Sequence, residues 1–227
     1  MQDNTCPICH FPLNTLGWLR KDVPPGHHDF GKTVPCPHND GVVDKYLRSI
    51  SGLADMDTTC TFENLWDIPA RAEAVQAARA FCDVGGILAL YGNVGTGKTF
   101  LLKAIVNEML ARRRQAFYQT LPDLLDKLRE TFSDESQIEF PEAFHKVLTI
   151  SVLALDELDK ASLTDWAAEK VFQLINHRYA NRLMTVVAFN NKNKIPAYIL
   201  SRLSEGRLVE CGGVDLRQRI AKLKEKE

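Results

Sequence analysis

The sequence lacks the features that mark membrane, secreted or strongly charged proteins. Its longest apolar runs, such as residues 85–91 and 150–155, are far shorter than the ~20 residues that a membrane-spanning helix needs. The N-terminus has no basic segment followed by an apolar stretch, so we expect no secretory signal. The formal net charge is only -1, which gives no overall sign of a nucleic-acid-binding protein but does not exclude a local basic patch. We therefore expect a cytoplasmic protein without a membrane segment.

What is present is a globular composition with an unusual beginning. Hydrophobic residues make up 45% and charged residues 25% of the 227 residues, which predicts one or two ordinary domains. The first 40 or so residues are instead rich in Pro, Gly, His and Cys and show no sustained helical or strand period. We expect a small metal-stabilised module over residues 1–43, a linker over 44–65 and the main domain over 66–227.

The main domain shows alternating helical and strand patterns. Strands are predicted at 87–91, 115–119, 150–155, 184–189 and 208–211. Helices are predicted at 70–82, 98–113, 121–132, 141–146, 165–179 and 195–202, with a charged helix at 215–227. This order predicts an α/β fold with a parallel five-stranded sheet flanked by helices and no sizeable C-terminal lid.

A glycine-rich loop lies between the first of these strands and the helix that follows it. Residues 92–99 match the P-loop pattern GxxxxGK[ST], in the strand-loop-helix context that its mechanism requires. Glycine lets backbone N–H groups turn toward phosphates, Lys98 reaches the β- and γ-phosphates, and the Thr99 hydroxyl binds Mg²⁺. A glycine-rich turn without function is disfavoured by that context, so we expect ATP and Mg²⁺ as ligands. The predicted nucleotide-binding residues are Gly92, Asn93, Val94, Gly95, Thr96, Gly97, Lys98, Thr99 and Phe100.

Two acids follow the apolar strand predicted at 150–155. Asp156 is expected to hold Mg²⁺, and Glu157 to orient or deprotonate the attacking water. An acidic turn after a buried strand is common, so this pair gains its meaning from the upstream P-loop. A carboxylate beside the magnesium ligand favours ATP hydrolysis over the phosphoryl transfer of many kinases.

Two polar features downstream complete the predicted site. The strand at 184–189 ends in Asn190 and Asn191, and Asn190 is the preferred contact for the γ-phosphate and the attacking water. Asn191 stays an alternative, because a shift of one residue decides which side chain points inward. Arg202 is the candidate arginine finger for a neighbouring subunit and Arg217 the candidate sensor within its own site. Only their position after the other motifs favours these roles over solvated or salt-bridged arginines.

Taken in order, these motifs resemble the DnaC/DnaI-type replicative helicase loaders and the related IstB-type transposition helper ATPases, which are AAA+ proteins. The resemblance covers about residues 61–217 and includes the segments 61–64, 155–159 and 166–179. It implies a P-loop NTPase (AAA+) fold and an ATP-dependent oligomer that binds single-stranded DNA and a replicative DNA helicase. Two alternatives stay open, a helper of a transposase on duplex DNA and a nucleotide-binding zinc adaptor without turnover. Phe189 departs from the loaders, which often carry a small hydroxyl residue there.

The N-terminal cysteines suggest structural zinc rather than a disulfide. The predicted zinc ligands are Cys6, Cys9, Cys36 and His38. The spacing of the last pair is tighter than usual, so His10, His27 and His28 remain alternatives for the fourth ligand. The family resemblance implies that such a module contacts the helicase. Cys60, Cys82 and Cys211 have no partners at ligand spacing and are expected to act as small buried apolar residues.

Overall fold

A computed structural model of the protein describes residues 18–20, 24, 33–36, 40–133, 139–161 and 164–217. The chain divides into two compact units, Met1–Ile50 and Ser51–Glu227. In the first unit, strands β1 (Trp18–Arg20) and β2 (Thr33–Pro35) pair antiparallel, and helix α1 spans Asp40–Ser49.

The second unit consists of strands that alternate with helices. The strands are β3 (Ile87–Tyr91), β4 (Ala116–Thr120), β5 (Val152–Asp156), β6 (Met184–Phe189) and β7 (Arg207–Glu210). The helices are α2 (Ala72–Val84), α3 (Lys98–Ala111), α4 (Leu121–Glu130), α5 (Phe140–Thr149), α6 (Asp165–Ala180) and α7 (Ala197–Ser204). Within the described residues, no helix combines the length and the apolar character needed to cross a membrane. The helix predicted at 215–227 lies largely outside the described residues.

The five strands of the second unit form one parallel sheet in the order β4-β5-β6-β3-β7. The predicted α/β fold with five parallel strands is therefore confirmed. Strand β3 lies between β6 and β7, and Leu90 is paired with Ala188 on one side and Val209 on the other. Because the strands are parallel, all their carboxyl ends lie along one edge, where ligands of open α/β sheets bind.

Helices cover both faces of this sheet. Alternate residues of β3 supply both faces: Leu88 and Leu90 join one apolar cluster with α2 and α3, and Ile87 and Ala89 join another with α4 to α7. Burial of a leucine side chain stabilises the fold by roughly 1.5–3 kcal/mol. The two-sided core explains why the strands appear in the sequence as continuous apolar runs rather than alternating ones.

Threonine side chains mark where two of these helices begin. Thr120 Oγ1 accepts a hydrogen bond from Asp123 N at 3.3 Å at the start of α4. Thr164 Oγ1 accepts one from Ala167 N at 3.4 Å at the start of α6. Each hydroxyl satisfies one of the backbone N–H groups that a helix start leaves without a partner. Helix α4 therefore begins directly after β4, and helix α6 begins after the acidic loop that follows β5.

The segment 51–65, predicted as part of a linker, belongs to the second unit and packs against α2 and α3. Phe62 is buried in the cluster with α2 and α3. Asp57 Oδ1 accepts a hydrogen bond from Lys103 Nζ at 2.8 Å, and Asn107 Nδ2 donates to the carbonyl oxygens of Asp57 and Cys60 at 2.8 and 2.7 Å. The boundary between the units falls at residues 50 and 51, because these polar anchors hold the segment on α3. Its composition resembles a linker, while its contacts are those of a domain.

Candidate nucleotide-binding site

Residues 92–97 connect β3 to α3 at the carboxyl edge of the sheet. Gly95 and Gly97 have φ angles of 78° and 94°, which residues with side chains rarely adopt. A Cβ atom on Gly95 would also collide with the carboxylate of Asp215, and one on Gly97 with the Arg71 guanidinium. The loop conformation thus depends on glycine at both positions, and the P-loop pattern itself requires the second of them, Gly97.

Lys98 is the first residue of α3, and its side chain turns back into the loop. Nζ donates hydrogen bonds to the carbonyl oxygens of Gly92 at 2.8 Å and Asn93 at 2.7 Å. Burial lowers the pKa of Lys98, while the neighbouring carboxylates of Asp156 and Asp159 favour its protonated form. The loop therefore encloses a largely desolvated cation, an arrangement that attracts an anion such as a polyphosphate.

Thr99 and Asp156 meet across the site. Thr99 Oγ1 donates a hydrogen bond to Asp156 Oδ2 at 2.6 Å, and Tyr118 from β4 donates to the same oxygen at 3.2 Å. The other carboxylate oxygen, Oδ1, accepts a hydrogen bond from the Glu157 N–H at 2.8 Å. A hydroxyl and a carboxylate this close are hard oxygen ligands of the kind that Mg²⁺ prefers, so the residues fit a magnesium ion.

Glu157 follows directly in a strained conformation. Its φ of 56° lies in the left-handed region, which for a residue other than glycine costs of order 1–3 kcal/mol. The strain lets the chain turn sharply after β5, so that the side chain is exposed and lines the cavity beside Asp156. Strain of this kind is concentrated at functional sites.

Asp159 fixes the end of the neighbouring strand β6. Its buried carboxylate accepts hydrogen bonds from Asn190 N at 3.1 Å and Asn191 N at 3.2 Å. Asn190 lines the cavity, whereas the Asn191 side chain accepts a hydrogen bond from Asn193 N at 2.9 Å and caps a short 3-10 turn. This placement favours Asn190 over Asn191 as the residue that faces the nucleotide.

These groups surround one cavity of about 600 Å³. Most of the predicted site residues line it: Val94, Gly95, Gly97, Lys98, Thr99, Phe100, Asp156, Glu157, Asn190 and Arg217. Of the predicted nucleotide-binding residues, Gly92, Asn93 and Thr96 do not line it, and Thr96 is buried, with its hydroxyl donating to Asn93 O at 3.0 Å. Cys60 is half-buried and also lines the cavity, so it is less buried than predicted, while Cys82 and Cys211 are buried as predicted.

The two candidate arginines occupy different places. Arg217 lines the cavity, and its N–H donates to Asp215 Oδ1 at 2.9 Å. Arg202, on α7, is not among the lining residues, and it forms an ion pair with Glu205 at 2.6 Å and lies 5.4 Å from the ring centre of Tyr179. The structure thus brings Arg217 to the site of its own chain and leaves Arg202 outside it.

The site also contains several residues that were not predicted from the sequence. Tyr118 contacts the Asp156 carboxylate, Lys103 lines the cavity from α3, and Arg71 lies buried against the P-loop. Their neighbours in the sequence form no recognisable motif. The one signal available was the position of Tyr118 in the strand next to the acidic one, which becomes visible only with the sheet order.

The predicted zinc ligands fall mostly outside the described residues. This holds for Cys6, Cys9 and His38, and equally for the alternatives His10, His27 and His28. Cys36 is described; it follows β2 and is fully buried. The zinc site stays a prediction.

Comparison with known proteins identifies the family to which the chain belongs. The profile of the IstB-like ATP-binding proteins matches residues 46–193. The chain is 32% identical over 104 residues to the replicative helicase loader DnaI of Bacillus subtilis, which is 45% of this chain and 32% of that protein. It therefore spans about a third of the length of that relative.

Solved structures show the same fold. AMPPCP-bound DnaA from Aquifex aeolicus is similar with a TM-score of 0.64 and 23% identity, over 74% of this chain and 55% of that chain. The crystal structure of the DnaC helicase loader gives a TM-score of 0.61 and 20% identity, over 69% of this chain and 99% of that one. Since the family profile covers more than half of the chain, including the P-loop and the acidic pair, the chain belongs to the family of IstB-like ATP-binding proteins.

Proposed function

We propose that this protein is an ATPase that helps to place a replicative ring helicase on single-stranded DNA. The observation that carries the ATPase part is the convergence of Lys98, Thr99, Asp156 and Glu157 on one cavity at the carboxyl edge of the sheet. The helicase part is supported by the relative from Bacillus subtilis, whose name is replicative helicase loader. ATP is the substrate in this proposal, and the helicase and DNA are partners.

The site residues divide the work of hydrolysis among them. Lys98 and the backbone amides of the loop bind the phosphates, and Thr99 and Asp156 would hold Mg²⁺, which would neutralise phosphate charge. Glu157 orients a water molecule and accepts its proton as the water oxygen bonds to the γ-phosphorus. The bond from that phosphorus to the β,γ-bridging oxygen breaks, and ADP and phosphate are the products. Asn190 holds the same water from the end of β6.

Two substitutions separate binding from turnover. Glu157→Gln keeps the shape but removes the proton acceptor, so we expect ATP turnover to fall by about 10²- to 10⁴-fold while ATP binding persists. Lys98→Ala is expected to abolish binding, measured by calorimetric titration with a nonhydrolysable analogue. Glu210→Gln is the matched control, because Glu210 is an exposed acid at the end of β7 that does not line the cavity. ATP binding without turnover in the wild type, with binding lost in Lys98→Ala, would instead support the zinc adaptor without hydrolysis.

Self-association accounts for the position of Arg202. Since Arg202 does not line the cavity of its own chain, we propose that it reaches the ATP site of a neighbouring subunit, where an arginine finger accelerates hydrolysis by about 10³- to 10⁵-fold. Arg202→Ala and Glu157→Gln should each be inactive alone. Mixing the two variants should restore part of the turnover, because some interfaces then combine an intact Glu157 with an intact Arg202. No restoration at any mixing ratio would contradict action between subunits.

An aromatic surface beside cations supports binding of single-stranded DNA. Phe132 is 60% exposed and stacks on Phe140 with ring centres 4.9 Å apart, and Arg129 lies 5.5 Å from the ring centre of Trp166. Stacking of a base on an aromatic ring contributes about 1–3 kcal/mol. Phe132→Ala should therefore weaken binding of an oligothymidine about 5- to 150-fold, measured by fluorescence anisotropy. The control is Tyr198→Ala, which removes an exposed aromatic residue from α7. Preference for duplex over single strands would favour the transposase helper.

We further propose that Cys6, Cys9, Cys36 and His38 bind zinc and that this module docks the helicase. Support comes from ligand types and spacing in a segment with too little apolar content to fold alone. Metal analysis of the purified chain should give about one zinc per chain, and Cys6→Ser with Cys9→Ser should remove it. Co-purification with a tagged replicative helicase, with and without ATP, tests the partner. Loss of zinc without loss of co-purification would contradict the docking role.

A further inference from the structure

Arg71 is a buried arginine beside the P-loop that no sequence motif accounts for. It closes a 3-10 turn, Pro69–Arg71, and is only 2% exposed. Nη2 donates to Trp66 O at 2.5 Å and Nη1 to Thr96 O at 3.4 Å, while the buried Nε has no hydrogen-bond partner. The residue also lines the nucleotide cavity. Within the described residues, its hydrogen bonds go to main-chain carbonyls and it forms no ion pair.

The contact with Thr96 fixes the orientation of one peptide unit in the loop. Thr96 O accepts from Arg71 Nη1 and also from the buried Cys211 Sγ at 3.4 Å. In a planar trans peptide the carbonyl and the following N–H point in opposite directions. Because the carbonyl points to the buried side, the N–H of Gly97 points to the other side. A phosphate-binding loop needs its N–H groups turned in this way.

The guanidinium and the glycine also depend on each other. A Cβ atom on residue 97 would collide with Arg71 Nη1, so the close approach of the guanidinium requires Gly97. The charge of Arg71 is buried without a carboxylate among its hydrogen-bond partners, and a buried cation without compensation is costly. A polyphosphate bound next to it would offset that cost.

We propose that Arg71 is a positioning residue of the nucleotide site, which holds the Thr96–Gly97 peptide with its N–H toward the phosphates and adds its charge to their attraction. This inference rests on the proposed function, since it assumes that a nucleotide binds in the cavity. Arg71 acts through the loop and takes no part in bond breaking. The ligand groups that it favours are the phosphates, not the base.

The test compares affinities for ligands with and without phosphates. Arg71→Met removes the charge and the hydrogen bonds while keeping most of the apolar volume, so we expect Mg-ADP to bind about 10- to 100-fold more weakly, as for loss of charge-assisted bonds. Adenosine should bind the variant and the wild type with affinities within about twofold, because it has no phosphate. Calorimetric titration measures both. Arg79→Met is the matched control: Arg79 is an exposed arginine of α2 whose Nη2 donates to Phe62 O at 3.0 Å outside the cavity.

Three outcomes would overturn the inference. The first is wild-type affinity for Mg-ADP in folded Arg71→Met. The second is an equal loss of affinity for adenosine and Mg-ADP, which would show a purely structural role. If Arg71→Met does not fold, Arg71→Lys retains the charge but cannot bridge both carbonyls, and the third outcome is an unchanged response of the Gly97 amide resonance to Mg-ADP in that variant. A wild type that binds no nucleotide would instead refute the proposed function.

Discussion

Replacement of Asp57 by alanine tests whether the segment 51–65 is held on the second unit by its polar anchors. The Asp57 side chain is 10% exposed and lies against α3. Its Oδ1 accepts from Lys103 Nζ at 2.8 Å and its Oδ2 from Ala54 N at 3.0 Å. One carboxylate therefore both pairs a cation of α3 and closes the turn that begins the segment. Truncation of this side chain to a methyl group removes both interactions and leaves Asn107 bound to the main chain.

The expected loss of stability follows from the burial of the ion pair between Asp57 and Lys103. Breaking a buried ion pair by removing one partner costs about 3–5 kcal/mol, because the remaining charge is left without compensation. The Lys103 side chain is 21% exposed, so water partly solvates the ammonium after the change. Ala54 is exposed, so its N–H can also bond to water. We therefore expect a loss of about 2–3 kcal/mol in the free energy of unfolding, below the range for full burial.

Urea unfolding followed by tryptophan fluorescence measures this loss. With a slope of about 1–3 kcal/mol per molar urea, the midpoint should fall by about 0.7–3 M while the slope stays the same. Asp55→Ala is the control, because Asp55 lies in the same turn but is exposed, and it should change stability by less than about 0.5 kcal/mol. Equal midpoints for Asp57→Ala and Asp55→Ala would refute the assignment of this segment to the second unit.

Two further predictions concern the loop and a buried thiol. Gly95→Ala should weaken Mg-ADP binding at least about tenfold in calorimetry. The new Cβ would collide with Asp215, and alanine is disfavoured at the left-handed φ of 78°. Gly86→Ala is its control, with a similar φ of 86° and open space around the Cβ position. Burial raises the pKa of Cys82 from 9.0 to about 12, so at pH 9 iodoacetamide should label it only after unfolding, as read by mass spectrometry. Since the folded state keeps this proton longer, the contribution of Cys82 to stability should be complete below pH 9 and fall as the pH rises toward 12.

The sheet was predictable because its strands are buried on both faces. The predicted strands at 87–91 and 184–189 coincide with β3 and β6, since short apolar runs bounded by turn residues leave little freedom for a parallel central strand. Helix α5 spans Phe140–Thr149 and is longer than predicted mainly at its C-terminal end, where residues 147–149 lead directly into the apolar residues before β5 and no turn residue marks the end of the helix. The packing of the segment 51–65 was not predictable for another reason: Asp57 contacts Lys103 of α3 across 46 residues of sequence, and no local period records such a contact.

The nucleotide site likewise has parts that local sequence patterns predict and parts that depend on contacts between distant residues. The P-loop and the acidic pair were predictable because each is a contiguous motif at a strand end, and parallel strands bring such ends to one edge. Arg71 meets Thr96 across 25 residues, and Tyr118 meets Asp156 across 38, so each contact depends on packing that the motifs do not encode. The different positions of Asn190, which lines the cavity, and Asn191, whose side chain caps the turn after β6, were likewise visible only in the structure.

The sheet order and the segment before it together explain how the loop is supported. Strand β3 lies between β6 and β7, so the loop after it has Cys211 behind it and receives Arg71 from the segment that precedes α2. That segment is tied to α3 near its start by Asp57 and to the loop near its end by Arg71. The first tie holds a helix and the second orients a peptide. Asp57→Ala should therefore lower the free energy of unfolding more than it lowers nucleotide affinity. Arg71→Met should do the reverse and lower the affinity for phosphates more than the free energy of unfolding. If the segment only filled space, the loss of stability relative to the loss of affinity would be the same in both variants.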